Sequence, residues 1–369
     1  MNASGDRLRI LVAMSGGVDS SVAAAMLVEA GHDVVGATMK TFCYSGEAAE
    51  SKKTCCGLEG IRDARLVADR LGIPHYVFDV EEEFTRDVID DFVTEYGRGR
   101  TPNPCVRCNS NTKFRDLLRR GRVLGCDGVA SGHYARLDRG TGEARLLRGC
   151  DQSKDQSYFL WGLPADLLGL LHFPLGELTK SEVRARAREL GLETADKPES
   201  QEICFVPTGN YRDLLAKKLL PTHAALSPGA IVDTRGRILG RHNGFSGFTV
   251  GQRRGIGGGR AERYHVLEIR PDTREVVVGP RELLEVAGVV VGDLNWLTKA
   301  PEPGRRLDVQ IRYRSSALAC TVVGPGEGGI ELRFAEPARA VTPGQSSVFF
   351  DGDRVVGGGR IDRVTGTPY

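Results

Sequence analysis

The chain has 369 residues, 40% of them hydrophobic and 27% charged, an ordinary balance for a folded protein with two or three domains. Its 50 lysines and arginines nearly cancel its 48 aspartates and glutamates, so any nucleic-acid surface must be a local basic patch. No stretch approaches the roughly 20 apolar residues of a membrane span, and the first residues form no secretion signal. We therefore expect a cytoplasmic protein with no membrane partner, in which nine cysteines favour metal or redox chemistry over structural disulfides.

Strand and helix patterns alternate along the first third of the chain. The predicted strands are Arg9–Met14, Val34–Met39, His75–Asp79 and Gly128–Ser131, and the predicted helices are Ser20–Glu29, Ile61–Leu71 and Thr112–Leu124. Apolar residues between Phe84 and Tyr96 fall on one helical face. This alternation predicts an α/β domain with a parallel Rossmann-like sheet, whose ligand lies beyond the carboxyl ends of the strands.

The helical pattern continues through KSEVRARARELGL, residues 180–192, and the pattern changes after Pro207. Glycine-rich turns then separate short β-type runs, which are Tyr264–Ile269, Glu275–Val278, Leu307–Tyr313, Ala319–Val323 and Ser347–Phe350. We therefore predict an α/β domain over residues 1–210, a small central domain over residues 211–284 and a C-terminal β-barrel over residues 285–369.

The stretch SGGVDSS, Ser15–Ser21, separates the first strand from an alanine-rich helix. Its glycines allow a tight turn, Ser20 or Ser21 can cap the helix, and the helix N-terminus favours an anion such as phosphate. The stretch lacks the Walker and dinucleotide patterns and resembles the S-G-G-x-D-S signature of the pyrophosphate-loop ATPases, which cleave ATP between its α and β phosphates. That resemblance implies that backbone N–H groups and serine hydroxyls hold pyrophosphate and that Asp19 helps to place Mg²⁺. The alternative is an ordinary strand-to-helix turn.

A second constellation, GRTPNPCVRCNSNTKF, spans Gly99–Phe114. Its prolines and asparagines predict an irregular loop ahead of a helix, and Cys105 and Cys108 form a C-x-x-C pair. A helix N-terminus lowers the pKa of a nearby thiol, which would activate such a pair. Buried structural cysteines, half of a zinc site and a thioredoxin-type pair remain as alternatives, although the adjacent Cys55 and Cys56 do not form the second C-x-x-C that zinc needs.

A third cysteine, Cys204, lies in the apolar stretch EICF, which by itself is typical of a core position. The stretches MSGGVDSS, GRTPNPCVRCN, SGHYAR, KDQSYFL, EICF, GQRRGIG and VTPGQSSVFF nevertheless occur in the order found in the tRNA-specific 2-thiouridylases. The chain resembles that family from residue 8 to residue 358 or thereabouts. These enzymes replace O2 of the wobble uridine in certain tRNAs with sulfur.

The resemblance implies the fold and the partners. It implies an adenine nucleotide alpha-hydrolase-like catalytic domain at the N-terminus, a C-terminal barrel that binds tRNA, and ATP with Mg²⁺ as the activating nucleotide. It implies lysine, glutamate and glutamine tRNAs as substrates, and a cysteine desulfurase or sulfur-relay protein as the persulfide donor. We further expect a monomer.

The resemblance also assigns chemistry to two cysteines. Cys108, directly before Asn109, matches the nucleophile of the family, and Cys204 matches its persulfide carrier. ATP adenylates O2 of the uracil, the Cys204 persulfide displaces AMP from C2, and Cys108 cleaves the S–S bond to leave a Cys108–Cys204 disulfide.

Binding residues are implied in the same way. The nucleotide contacts are Ala13, Met14, Ser15, Gly16, Gly17, Val18, Asp19, Ser20, Met39 and Gly132. The tRNA contacts are Asn103, Pro104 and Cys105 around the target base, with His133, Lys154, Asp155, Gln156, Arg312, Tyr313 and Gln345. Plainer alternatives are a core histidine at position 133 that donates to a backbone carbonyl, a structural turn at KDQSYFL and a solvated strand at Arg312-Tyr313. Arg253 and Arg254 suit either phosphate contacts or a solvated turn.

Several cysteines depart from the family pattern or leave alternatives open. Many members carry Asp where this chain has Cys105, and the insertion Phe42–Gly60 adds Cys43, Cys55 and Cys56. Cys105, Cys108 and Cys204 could instead hold an iron–sulfur cluster with one open iron that binds sulfide. Structural roles are expected for Cys126, Cys150 and Cys320.

Two other classes of protein compete with the sulfurtransferase hypothesis. An adenylating ATPase that delivers an amine would need no paired thiols, so its activity would survive their replacement. An RNA-binding protein without activity would release no pyrophosphate from ATP and tRNA.

Overall fold

The structure, a computed structural model, describes residues 7–41, 58–140, 142–198, 203–206, 209–256 and 263–369. Cys43, Cys55 and Cys56 lie outside these ranges. The chain forms two compact units. The first takes in the residues up to Val88 with Cys105–Gly209 and Asp353–Val355, and the second takes in Ile89–Pro104, Asn210–Gly352 and Val356–Tyr369. None of the helices in the described ranges has both the length and the apolar character needed to cross a membrane.

The first unit contains a parallel sheet and an antiparallel hairpin. Its strands are β1 Arg9–Ala13, β2 Asp33–Lys40, β3 His75–Asp79, β4 Gly128–Ser131, β5 Ala135–Asp138, β6 Arg145–Arg148 and β7 Leu171–His172. The sheet has the order β3-β2-β1-β4-β7, whereas β5 and β6 form an antiparallel hairpin. The sequence of β1 is apolar and buried from Ile10 onward, as expected for a strand covered on both faces. The predicted parallel sheet is confirmed, and the sequence patterns missed only its two-residue edge strand β7.

Some helices cover this sheet, and others belong to the second unit. The α-helices are α1 Val18–Glu29, α2 Leu58–Leu71, α3 Glu81–Phe84, α4 Asp90–Gly97, α5 Pro104–Arg107, α6 Phe114–Val123, α7 Lys180–Glu189 and α8 Tyr211–Lys218. In the core, Val22 and Ala23 of α1 cluster with Val183 of α7 and with Ile10 and Val12 of β1. The helix that follows β1 is therefore held against both the sheet and α7.

The prediction of an irregular loop after Gly99, ahead of a helix that begins at Thr112, is wrong from Pro104 onward. The chain is already helical from Pro104, becomes π-helical over Cys108–Lys113 and then continues as α6. A proline suits the first helical position, because the N–H that it lacks would have no partner there. The C-x-x-C pair consequently lies on a helix rather than ahead of one.

The C-terminal half of the chain carries two β-structures. The strands are β8 Gly229–Val232, β9 Ile238–His242, β10 His265–Arg270, β11 Glu275–Gly279, β12 Glu285–Trp296, β13 Arg306–Gln310, β14 Leu318–Gly326, β15 Gly329–Arg339, β16 Ser346–Asp351 and β17 Arg354–Thr365. The first four form a sheet in the order β10-β11-β8-β9. The others follow the order β12-β15-β14-β13-β16-β17, and β12 also pairs with β17, which closes a barrel. The predicted C-terminal β-barrel is confirmed, while the boundaries after residues 210 and 284 remain predictions.

One predicted strand of the barrel is too long at its end. The run Leu307–Tyr313 corresponds to β13, which stops at Gln310. Arg312 begins a turn in which the N–H of Ser315 donates to the Arg312 carbonyl at 3.1 Å, and Arg314 has a φ of 62°. This left-handed conformation is incompatible with a continuing strand. The alternative of a solvated strand at Arg312-Tyr313 is therefore wrong, because both residues lie in the turn.

Candidate nucleotide and sulfur-transfer site

Two of the predicted nucleotide contacts are glycines at positions where no side chain fits. Gly16 has a φ of 72°, and a Cβ built on it would lie 2.3 Å from the carbonyl oxygen of Gly60. A Cβ on Gly132, after β4, would lie 2.6 Å from the backbone carbon of Asp19 and 2.7 Å from the nitrogen of Ser20. Gly16 therefore allows the backbone of α2 at Gly60 to approach the loop closely, and Gly132 allows the chain after β4 to approach the start of α1.

The serines of the loop stabilise its turn instead of capping the helix. α1 begins at Val18 with Gly17 as its N-cap, and Gly17 has no side chain to cap with. The hydroxyls of Ser20 and Ser21 donate to the Gly17 carbonyl at 3.1 and 2.9 Å, and Ser20 Oγ accepts from the N–H of Ser15 at 3.2 Å. The predicted serine cap is therefore wrong, and the first-turn N–H groups have no side-chain cap, which leaves them available to an anion.

Asp19 carries the charge of this loop and is held from two sides. Lys180, the first residue of α7, places its Nζ 2.7 Å from Oδ1 and 2.8 Å from Oδ2 of Asp19. The hydroxyl of Tyr134 donates to Oδ1 at 2.8 Å. Sequence analysis missed both partners: Tyr134 stands in the quoted stretch SGHYAR, but no local signal marks Lys180.

The apolar residues predicted to contact the nucleotide belong to the sheet. Ala13 ends β1, and the N–H of Met14 donates to the Ala37 carbonyl at 2.8 Å. Met14 and Met39 are both buried. The hydroxyl of Thr38 donates to the Met14 carbonyl at 2.7 Å and so fixes the chain just before the loop turns. Whether these residues contact ATP stays a prediction.

The C-x-x-C pair lies where α5 passes into the π-helical segment. Cys105 is exposed and Cys108, the first π-helical residue, is half-buried. The segment is pinned by Ser110, whose hydroxyl donates to the Val106 carbonyl at 2.8 Å, and by Asn109, whose side-chain amide lies 3.4 Å from the Phe159 carbonyl. The two cysteines therefore lie three residues apart on one continuous helical segment, on either side of its change from α- to π-helix.

Cys204 lies in a short turn that is anchored by its neighbour. The N–H of Val206 donates to the Ile203 carbonyl at 2.9 Å, and Phe205 is buried. The Phe205 ring packs edge-on against Phe84 of α3, with 5.8 Å between the ring centroids. The π-helical segment that begins with Cys108 also contacts α3. Both thiol-bearing segments are thus neighbours of one short helix.

The remaining described cysteines have no comparable setting. Cys126 and Cys320 are buried, which raises the pKa of both thiols, that of Cys320 to about 12. Cys150 is exposed and donates to Glu177 at 2.9 Å, a hydrogen bond that raises its thiol pKa. Within the described ranges, no three His, Cys, Asp or Glu side chains gather in a way that could hold a metal ion. The arrangement of Cys105, Cys108 and Cys204 therefore does not match the ligand set of the hypothetical cluster.

The K-D-Q stretch is strongly bonded within its own unit. The Asp155 carboxylate accepts from the N–H of Gly149 and of Ser157 at 3.0 Å each, and it pairs with Arg148 at 3.0 Å. Gln156 Oε1 accepts from the N–H of Tyr134 at 3.0 Å. These bonds are those of a structural turn, so Asp155 and Gln156 shape the segment; their contact with tRNA, like that of Lys154, stays a prediction.

His133 has the surroundings of a core residue. Its Nδ1 lies 2.7 Å from the Ser131 hydroxyl, and its ring packs among Phe114 and Phe173. Burial, with a smaller contribution from Lys113, holds its pKa well below the usual range, so the ring is neutral near pH 7. The bonding partner is a side-chain hydroxyl and not the backbone carbonyl that the core alternative expected.

The other predicted tRNA contacts belong to the second unit. Gln345 Nε2 donates to the Thr101 carbonyl at 2.8 Å, two residues before Asn103 and three before Pro104. Arg312 is exposed and donates to the Ala340 carbonyl at 3.0 Å. The Tyr313 ring lies 5.3 Å from the guanidinium of Arg314. Gln345 therefore steadies the segment that carries two of the predicted base contacts.

The fold and the loop define a class: a nucleotide-binding α/β domain followed by two β-rich domains. Three family models match in the same order, namely a tRNA methyl transferase HUP domain at residues 8–208, a tRNA methyl transferase PRC-barrel domain at residues 217–280 and an aminomethyltransferase β-barrel domain at residues 286–361.

Named relatives are more specific. The tRNA-specific 2-thiouridylase MnmA of Geobacter metallireducens is 50% identical over 360 residues, which are 96% of this chain and 97% of that protein. The enzyme of the same name from Geotalea uraniireducens is 47% identical over 98% of this chain and 96% of its own length. The chain belongs to the tRNA-specific 2-thiouridylase family. Among solved structures, the tRNA thiolase NcsA from Methanococcus maripaludis is 18% identical over 60% of this chain and 70% of its own, with a TM-score of 0.35, too distant to inform the site.

Proposed function

We propose that this chain converts the wobble uridine of tRNA to 2-thiouridine by adenylation with ATP followed by sulfur transfer. The observation that carries this proposal is the position of the two thiols. The π-helical segment with Cys108 contacts α3, and the turn with Cys204 packs on α3 through Phe205 and Phe84. A two-thiol exchange needs one cysteine whose persulfide sulfur reaches the base and a second cysteine that reaches the first, and an amine-delivering ATPase needs neither.

The first step activates the base. O2 of the uracil attacks the α phosphorus of ATP, the bond between the α and β phosphates breaks, and pyrophosphate leaves. The first-turn N–H groups of α1 and the turn at Gly16 suit the polyphosphate chain. O2 thereby becomes part of AMP, a much better leaving group than oxide.

The second step moves sulfur. A cysteine desulfurase or relay protein first loads Cys204 as a persulfide, whose terminal sulfur attacks C2 and expels AMP. The Cys108 thiolate then attacks Sγ of Cys204, the S–S bond breaks, and its electron pair stays on the sulfur that is now bound to C2. The products are 2-thiouridine and a Cys108–Cys204 disulfide, which an external dithiol reductant returns to two thiols.

Metal ions have a limited part in this proposal. Mg²⁺ normally accompanies ATP and neutralises phosphate charge, and Asp19 would be its ligand in the loop. In the structure Lys180 already lies on both oxygens of that carboxylate, so we assign no step to Mg²⁺. Likewise no step is routed through an iron–sulfur cluster, because the three candidate thiols do not gather as ligands among the described residues.

The substrate contacts belong to the same proposal. Asn103, Pro104 and Cys105 surround the splayed uracil, and the C-terminal barrel binds tRNA through Arg312 and Tyr313. Bases of an anticodon loop are largely unstacked, so extrusion of one base is feasible. The substrates are lysine, glutamate and glutamine tRNAs, and the enzyme acts as a monomer, which light scattering with and without tRNA would test.

The deciding experiment is a single turnover with ATP, Mg²⁺, unmodified glutamate tRNA and enzyme carrying a persulfide. Nuclease digestion and mass spectrometry then show whether the wobble base carries sulfur. We expect 2-thiouridine with the unsubstituted protein. For Cys204→Ser we expect pyrophosphate without 2-thiouridine, because the adenylated base meets no persulfide that could displace AMP. For Cys108→Ser we expect a base that stays linked to the protein through Cys204, because nothing cleaves the S–S bond.

Cys150→Ser is the matched control, because it removes an exposed thiol of the same unit that no step uses. Pyrophosphate release without any 2-thiouridine from the unsubstituted protein, undiminished in Cys108→Ser and Cys204→Ser, would favour an amine-delivering ATPase. Absence of pyrophosphate release would favour an inactive RNA-binding protein. Activity that requires bound iron, measured after anaerobic purification, would favour the cluster mechanism.

A further inference from the structure

Lys180 is a largely buried cation on α7 whose side chain reaches the loop before α1, a loop that suits a polyanion. Its side chain is 11% exposed, and its Nζ lies 2.7 and 2.8 Å from the two oxygens of Asp19, which is 32% exposed. The Tyr134 ring lies 5.7 Å from the same Nζ, and the Tyr134 hydroxyl donates to Asp19. Lys180 and Tyr134 thus both contact the Asp19 carboxylate.

The backbone holds Lys180 in place before its side chain makes any contact. Thr179 and Glu182 form a capping box at the start of α7, and the N–H of Lys180 donates to the Asp151 carboxylate at 3.0 Å. α7 packs on α1, the helix that begins with the loop. The Nζ of Lys180 therefore reaches Asp19 from a backbone position that these contacts hold in place.

Such placement has a cost that stability alone does not explain. Burying a lysine is expensive, and a buried ion pair is rarely more stable than apolar residues of similar size. The ion pair between Lys180 and Asp19 therefore points to a requirement that the Asp19 carboxylate be held in one orientation. Asp19 lies one residue into α1, within the turn whose N–H groups face the anion site.

We propose that Lys180 is a positioning residue for the adenylation step, which holds the Asp19 carboxylate in the orientation that the reaction uses, with Tyr134 as the second point of attachment. This inference rests on the proposed function, in which the loop that carries Asp19 binds the ATP that adenylates the base. Lys180 acts through Asp19 and not on the substrate. Replacing Lys180 therefore slows pyrophosphate formation, but it changes the rate little when Asp19 has already been replaced by an uncharged residue.

The test is a double-mutant cycle in the full-length enzyme with glutamate tRNA. Pyrophosphate release at saturating ATP is measured for the unsubstituted protein, Lys180→Met, Asp19→Asn and the double variant. We expect Lys180→Met to lower the rate tenfold or more, with the KM for ATP changed less than about threefold, and to add less than twofold in the Asp19→Asn background. Lys180→Arg should recover part of the rate, and Tyr134→Phe, which removes only the hydroxyl, should lose several-fold.

Arg188→Met is the matched control, because it removes a cation from the same helix whose partner is the exposed Asp196. Thermal unfolding and binding of α,β-methylene-ATP are followed in parallel. Equal losses from Lys180→Met in both backgrounds, or a loss that only follows the unfolding temperature, would assign Lys180 a merely structural role. Pyrophosphate release that depends on Lys180 without any 2-thiouridine would leave this inference standing and overturn the proposed function.

Discussion

Replacing Phe205 by leucine should loosen the turn that carries Cys204 while leaving the nucleotide loop unchanged. Phe205 is buried, and its ring meets Phe84 edge-on at 5.8 Å. Leucine keeps most of the apolar volume but loses this ring contact. The substitution therefore tests whether packing on α3 is what holds Cys204 in position.

The magnitude follows from the aromatic pair. Such a pair contributes about 0.5–1.5 kcal/mol beyond its buried area, which corresponds to a roughly 2- to 13-fold change in the docked population of the turn. Phe205→Ala also leaves a cavity, and truncation of a buried phenylalanine costs about 3–5 kcal/mol, so its effect should exceed 100-fold. Phe84→Leu should match Phe205→Leu, because it breaks the same pair from the other side.

The assay is alkylation of Cys204 by iodoacetamide, followed by mass spectrometry of its peptide so that the exposed Cys105 and Cys150 do not interfere. Alkylation should be 2- to 13-fold faster in either leucine variant, since its rate follows the undocked population. The double variant with Phe84→Leu should add little, because the pair is already broken. Additive effects, or alkylation rates equal to those of the unsubstituted protein, would refute the reasoning.

A control for general destabilisation comes from the barrel. Phe349 is fully buried, and its ring lies 5.3 Å from that of Trp296. Phe349→Leu therefore loses a comparable ring contact in a different core. It should lower the unfolding temperature without changing the alkylation rate of Cys204, so an increase there would mean that alkylation reports overall stability.

Three further outcomes follow from contacts elsewhere. Gly132→Ala should weaken binding of α,β-methylene-ATP about tenfold, because overpacking typically costs about 1–3 kcal/mol, whereas Gly169→Ala, which meets nothing within 4 Å, should not. Burial lowers the pKa of His172 to about 4. The contribution of this residue to the free energy of unfolding is therefore complete above pH 6.5 and decreases by about 3 kcal/mol as the pH falls towards 4. His172→Asn should remove that part of the pH dependence of the urea midpoint. Gln345→Leu removes the hydrogen bond to the Thr101 carbonyl, worth about 1 kcal/mol, so amide exchange of Arg100, Thr101 and Asn103 should be about fivefold faster.

Four strands of the first unit, β1 to β4, were predictable because each is a short run of mostly apolar residues between turn residues, whereas β5, β6 and β7 lack that pattern and were not predicted. β3 and β4 have the predicted bounds, and Pro74 and Gly132 mark one end of each. The nucleotide loop was predictable for a similar reason, since its glycines and serines are adjacent in the chain. Local patterns are sufficient when the interacting residues are near neighbours.

Contacts between distant residues were not predictable in this way. Lys180 and Asp19 are 161 positions apart, and Gln345 and Thr101 are 244 positions apart. Nothing in the surroundings of Lys180 distinguishes it from the other cations of KSEVRARARELGL until α7 packs on α1. The π-helical segment at Cys108 was missed for a related reason, because asparagines and prolines that usually indicate a loop are held in helical form by contacts such as that of Asn109 with the Phe159 carbonyl.

In the proposed reaction, activation of the base and transfer of sulfur take place at one site, and the topology of the parallel sheet is compatible with that arrangement. The loop at Ser15 follows β1, Met39 lies near the end of β2, and Gly132 follows β4. α3 follows β3 after a single residue, so it starts at the same edge as the nucleotide loop, because the carboxyl ends of parallel strands lie together. α3 is also the helix against which both thiol-bearing segments pack. An adenylated base held at this edge would therefore be near both sulfurs, and the reactive adenylate would not have to cross water between the two steps.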